Sequence, residues 1–172
     1  MKTLLRRYLV LLTLAFWMGG FTFYTGIVIR IGGQVLGGER DVGFITQQVT
    51  NWLNWIGVLA LVILAWSTWL ERRGTPRLLL VFSWVSLLAT QLNLFRVHSV
   101  LDQLLDIDTH KIHGPMATFF HWHRIYLIIA TAQWLAALAY LWIALVLWRQ
   151  TDRQAAQINS PAPQSNATTL QR

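Results

Sequence analysis

The chain is predicted to be all-α, an integral membrane four-helix bundle running up-down-up-down with both termini in the cytoplasm. Three observations predict it. First, the 172 residues are 55% hydrophobic and only 12% charged, which is more apolar surface than one small domain can bury, because small domains have much surface for their volume. Second, residues 8–29, 52–70, 78–95 and 125–148 carry no charge. Each stretch has about 18 or more residues, enough to cross a hydrocarbon core of about 30 Å at about 1.5 Å per residue. Third, the charge is one-sided. If the helices alternate, Lys2, Arg6, Arg7, Arg72, Arg73, Arg77, Arg149, Arg153 and Arg172 share one side with Glu71 and Asp152, a net of +7. The other side sets Arg30, Arg40, Arg96, Lys111 and Arg124 against Glu39, Asp41, Asp102, Asp106 and Asp108, a net of zero. Cytoplasmic segments are the positive ones.

The helices are expected at about 6–30, 45–71, 77–105 and 115–149, making residues 1–150 one transmembrane domain. The first run follows Lys2, Arg6 and Arg7 as in a secretory signal, but it is long and Phe16-Trp17-Met18-Gly19-Gly20 is no small-x-small cleavage site, so a retained helix is expected. Residues 31–44, with Gly32, Gly33, Gly37, Gly38 and Gly43, read as a flexible outer connection. They lack the strand and the Lys-Ser/Thr ending of a phosphate loop. Residues 71–77 turn at Gly74 and Pro76, and 99–114 form an acidic outer loop after which Pro115 opens the fourth helix. Residues 151–172, rich in Gln, Ser, Asn, Ala, Thr and Pro, are expected to be a disordered cytoplasmic tail. Among ten tryptophans, Trp52, Trp55 and Trp122 are placed at the outer boundary and Trp66, Trp69 and Trp148 at the inner one, as aromatic belts.

Polar residues concentrate in the outer half. Gly19, Thr22, Gly26 and Arg30 share one face of the first helix and read as a packing strip for a neighbouring helix. The second helix offers Gln47, Thr50, Asn54 and Gly57, and the third Gln91, His98 and Asp102, with Asn93 and Arg96 nearby. His98 and Asp102 are four apart, so the carboxylate can orient the imidazole. Asp106 and His110 extend this row. On the fourth helix His121 and Arg124 share a face, whereas His123 lies about 200° from His121. Thr131 and Gln133 carry polarity inward. An arginine where a helix enters the membrane seeks a carboxylate, and Asp102 is the expected partner of Arg124. Gln47, Asn54, Gln91, Arg96, His98, Asp102, His121 and Arg124 thus form the candidate polar site. The bland reading is that the charged and imidazole groups sit at headgroup depth, reaching water.

Phe16-Trp17-Met18-Gly19-Gly20-Phe21-Thr22-Phe23-Tyr24, the run from Gly43 to Asn54, His121-Trp122-His123-Arg124-Ile125-Tyr126-Leu127 and Thr131-Ala132-Gln133-Trp134 resemble small uncharacterised bacterial membrane proteins and, more distantly, the four-helix family related to transmembrane protein 205. The resemblance covers about residues 8 to 148. It implies the fold and a bacterial cytoplasmic membrane, and brings no catalytic residues.

Three functions compete. The first is binding of a small ligand, ion or lipid headgroup, or service as a transport-related or accessory subunit; with no inverted repeat, transport would call for a homo-oligomer or other membrane subunits. The second is a haem b or divalent-metal protein. His98 with His121 or His123 would hold haem iron, and His98, Asp102, His110 and His113 a divalent ion. The third is an enzyme using His98 and Asp102 as a base, for which the sequence shows no nucleophile. No basic patch interleaved with aromatics favours nucleic acid. With no cysteine, thiolate chemistry and Cys-ligated zinc are excluded.

Overall fold

A computed structural model describes residues 1–37, 39–71, 75–106 and 111–158. It is an all-α four-helix bundle, and all four helices are long and apolar enough to cross a membrane. α1 runs Lys2–Leu36, α2 Glu39–Trp69, α3 Thr75–Leu104 and α4 Met116–Ile158. α1 is α-helical over Lys2–Phe23 and Ile29–Leu36, with one π-helical turn, Tyr24–Val28, between them. Only 17% of its apolar window is buried, and 28% of each other window. Phe16, Phe82 and Trp142 are among the large side chains left facing outward, as lipid-facing surfaces require. The chain is a multi-pass integral membrane protein.

Helices adjacent in sequence pack side by side, α1 on α2, α2 on α3 and α3 most extensively on α4, while α1 and α4 touch sparingly. The core has two parts. Val10, Leu14, Leu61, Leu64, Leu87 and Tyr140 fill the half nearer the N-terminus, and Leu94, Val97, Leu101, Tyr126 and Ala130 fill the other. Tyr140 ties the first part together: its hydroxyl lies 2.9 Å from Thr68 Oγ1 and donates to the Leu64 carbonyl at 3.2 Å. Across from it, Trp84 Nε1 donates to the Leu61 carbonyl at 2.9 Å.

Arginines clamp the N-terminal end. Arg6 Nη2 lies 3.0 Å from Glu71 Oε2, both side chains nearly buried. Arg7 grips both oxygens of Asp152, at 2.7 and 2.9 Å, and lies 5.4 Å from the centre of the Trp148 ring. The two acidic residues expected on the positive side are therefore both held by N-terminal arginines.

Several expected boundaries move. The first connection is not a loop over 31–44: α1 continues to Leu36, where Gly37 at φ 70° ends it in the left-handed conformation that spares glycine a Cβ clash, and α2 already includes Glu39. α4 runs past 149 to Ile158, because Arg7 anchors Asp152 and Arg153, Gln154, Ala155 and Ala156 favour helix. The tail assigned to 151–172 therefore starts with helix through 158, and its remainder lies outside the described residues. Trp148 is no belt residue: it is buried under Arg7, whereas Trp52, Trp55, Trp66 and Trp69 are exposed. Little packs on the strip of Gly19, Thr22, Gly26 and Arg30: a Cβ on Gly19 or Gly26 would meet nothing within 4 Å, although Thr22 Oγ1 accepts a hydrogen bond from Trp134 on α4. The π turn adds residues to one helical turn and so rotates Arg30 away from Gly19 and Thr22.

At the far end α3 continues to Leu104, followed by a two-residue antiparallel ribbon that pairs Leu105 with Ile112 and Asp106 with Lys111. Gly114, at φ 88°, makes the turn before Pro115, and α4 starts at Met116.

Candidate functional site

All four helices border one cavity of about 490 Å³ at the end of the bundle remote from the N-terminus. α1 contributes its π turn and the residues around it, from Phe21 to Gly33; α2 contributes Val42 to Thr50, α3 His98 and Leu101, and α4 Phe119 to Leu127. A π turn leaves a wider helical step than an α turn, and such turns recur at functional sites. Here it presents Tyr24 and Thr25 to one wall, with Ile29 just after it.

His98 is the chief polar group of the cavity. Its side chain is 6% exposed, and Nδ1 lies 3.1 Å from Asp102 Oδ1, one helical turn on. A nitrogen facing a carboxylate is the protonated one, so Asp102 fixes the tautomer and leaves Nε2 as the second, open position. Nε2 is buried and has no hydrogen-bond partner among the described residues. Asp102, 48% exposed on its side chain, also accepts from Gln47 Nε2 at 2.7 Å. Tyr126 meets the imidazole edge to face, with ring centres 6.2 Å apart.

A buried polar network runs beneath this pair. Gln133 Nε2 donates to Gln91 Oε1 at 2.7 Å, Gln91 Nε2 donates to the Asn54 carbonyl at 3.1 Å, and the Tyr126 hydroxyl donates to Asn54 Oδ1 at 3.3 Å. Gly57 admits it: a Cβ there would lie 2.5 Å from Gln91 Oε1 and 3.0 Å from Trp17 Nε1. Close approach of the Gln91 amide to α2 therefore requires glycine at this position. On the opposite wall the Tyr24 hydroxyl donates to Thr46 Oγ1 at 3.1 Å, and Thr46 donates to the Val42 carbonyl at 2.7 Å. Gln47 Oε1 and Asn54 Nδ2 join His98 Nε2 as buried polar atoms without a partner among the described residues.

Five of the eight expected polar-site residues are thus brought together: Gln47, Asn54, Gln91, His98 and Asp102. Arg96, His121 and Arg124 are not, since all three are exposed on outward helix faces. The expected Asp102–Arg124 pair does not form; Asp102 is engaged by His98 and Gln47 instead. Arg124 lies two positions from Tyr126, about 200° around α4, so if Tyr126 faces the interior Arg124 faces out. His121 meets Trp122 edge on at 6.0 Å and does not line the cavity, whereas His123 lines it and stacks on Phe119 at 5.9 Å. Among the described residues no three His, Cys, Asp or Glu side chains gather as metal ligands. His113 lies in the exposed turn before α4, and His110 lies outside the described residues.

Sequence reasoning missed Tyr24, Arg30 and Tyr126 as cavity residues. The two tyrosines entered only as members of the runs that carry the family resemblance. Arg30 was assigned to a packing strip, because no signal in the sequence marked the π turn.

No protein-family model, curated protein or solved structure matches the chain.

Proposed function

We propose that this protein binds a small amphiphilic molecule in its outer-half cavity, with His98 Nε2 as the polar anchor. One observation carries the reading: a buried imidazole, oriented by Asp102, borders a largely apolar cavity with its second nitrogen unpartnered. A buried polar atom left without a hydrogen bond costs about 1–3 kcal/mol, and a ligand group meeting Nε2 recovers that. Cavities of some hundreds of Å³ with apolar walls and a few converging polar groups are the usual form of small-molecule sites. The charge asymmetry supports a cytoplasmic N-terminal end, and with it a cavity in the outer half of the membrane. The protein acts as a ligand-binding or transport-related subunit. His98 and Asp102 have the geometry of an oriented base, but among the described residues no hydroxyl is hydrogen-bonded to His98 Nε2 as a nucleophile to be activated would be, so binding is favoured over catalysis.

The test is the load carried by purified protein. Solvent extraction and mass spectrometry of wild type and of His98→Leu, prepared in the same detergent, should show an amphiphile on the first that is depleted from the second. Equal loads overturn the reading.

A haem b site is the second reading, favoured by one observation: His98 on α3 and His123 on α4 line the same cavity. The visible spectrum of the same preparation separates the two. A Soret band that His98→Leu and His123→Leu each abolish supports haem; a spectrum without one supports the first reading.

A further inference from the structure

The cavity's open side and its charge narrow the ligand class, if the binding reading above holds. Its walls from α2 and α3 have no exposed lining residue: Val42, Thr50, His98 and Leu101 are buried, and Gly43, Thr46 and Gln47 half-buried. Its exposed lining residues are Arg30 on α1 and Phe120 and Leu127 on α4, the last two 47% and 42% exposed. These are the two helices that touch sparingly. The mouth therefore opens at the α1–α4 seam, on the apolar flank of the bundle, where Phe23 and Ile27 also face outward. Nearer the N-terminal end the seam is held by Trp134 Nε1, which donates to Thr22 Oγ1 at 3.2 Å. A mouth with such neighbours faces lipid acyl chains.

Among the described residues the ionisable lining groups other than tyrosine are Arg30, His98 and His123, with no carboxylate, so the formal charge of the lining is that of Arg30. Arg30 has no ion-pair or hydrogen-bond partner among the described residues. Asp102 engages His98 from behind, through Nδ1, and leaves Nε2 without a partner on the cavity side.

We propose that the ligand is a single-chain amphiphile with a carboxylate head, drawn sideways from the bilayer through the α1–α4 seam. Its chain lies against Phe21, Ile29, Phe119 and Leu127. The guanidinium of Arg30 pairs with the carboxylate, in the bidentate geometry that planar group favours. The proton that the fatty acid brings with it bridges the head and His98 Nε2, which gives the open imidazole nitrogen its hydrogen-bond partner.

The experiment uses full-length protein in phosphatidylcholine vesicles containing a diazirine-bearing palmitic acid, with sites of photolabelling read by mass spectrometry. A second arm uses the methyl ester of the same probe. The acid should label Phe21 to Gly33 and Phe119 to Leu127, and the ester about tenfold less, the loss expected from one charge-assisted hydrogen bond. Arg30→Gln should lower labelling by the acid about tenfold without changing labelling by the ester, while Arg30→Lys keeps most of it. Thermal unfolding checks that both variants fold. Equal labelling by acid and ester overturns the carboxylate head while leaving a cavity that binds amphiphiles. Labelling confined to outward residues such as Phe16 and Phe82, unchanged by His98→Ala, overturns this proposal and the binding reading together. Competition by aqueous hexanoate as effective as that by palmitate overturns uptake from the bilayer.

Discussion

Replacing Gly57 by alanine should be among the most damaging single-methyl additions to this protein. The new Cβ would lie 2.5 Å from Gln91 Oε1, 3.2 Å from Gln91 Cδ and 3.0 Å from Trp17 Nε1. A glutamine amide on the surface would swing aside, but Gln91 is 1% exposed and bonded at both ends, to Gln133 and to the Asn54 carbonyl. Moving it forfeits two interhelical hydrogen bonds, each about 0.6–1.7 kcal/mol in a membrane protein. Crowding of a packed interior adds about 1–3 kcal/mol, and the better helix preference of alanine returns about 1 kcal/mol. The expected net loss is about 2–4 kcal/mol. Thermal unfolding in detergent measures it, with Gly19→Ala as control, since a Cβ there meets nothing within 4 Å. Adding Gln91→Ala to Gly57→Ala should cost less than the sum of the single changes, because the clash is removed. A Gly57→Ala protein as stable as wild type would refute the close packing of Gln91 on α2.

Three further outcomes follow from the geometry. Arg6→Gln and Glu71→Gln should each destabilise by about 1–3 kcal/mol, with the double variant losing less than the sum, because either single change strands a nearly buried charge; additive melting shifts would show the pair to be uncoupled. Asp102→Asn and Arg124→Gln should be additive in the same assay, whereas Asp102→Asn and His98→Ala should couple, reversing the pairing expected from helix spacing. In intact cells, single cysteines introduced at Gln34 and Met116 should react with an impermeant thiol reagent and one at Gln154 should not; the opposite pattern would invert the proposed orientation.

The bundle itself was legible because its signal is long and redundant. Four uncharged runs are hard to read as anything other than spans, and the charge split orders them. Within the site, Gln91, His98 and Asp102 were found because polar side chains are conspicuous in an apolar helix and their spacing fixes a face. Residues at the mouth were not legible for a different reason. One π turn at Tyr24–Val28 shifts the helical phase of Arg30, and helix-face arguments assume a uniform 3.6-residue period. Placing Arg124 beside Asp102 rested on equal depth alone. Depth does not settle rotation about the helix axis, and burial of Tyr126 and Ala130 sets the face α4 turns inward. The clamps of Arg6 on Glu71 and Arg7 on Asp152 join residues 65 and 145 positions apart, with no local spacing to announce them.

The most direct test of the account is nitrogen NMR of the His98 imidazole in selectively labelled protein, recorded with and without palmitate. The account predicts that Nδ1 keeps the resonance of a protonated nitrogen bonded to Asp102 throughout, while Nε2 moves on addition of palmitate and does so far less with methyl palmitate. An Nε2 resonance indifferent to palmitate, in protein shown by extraction to carry it, would contradict His98 as the anchor.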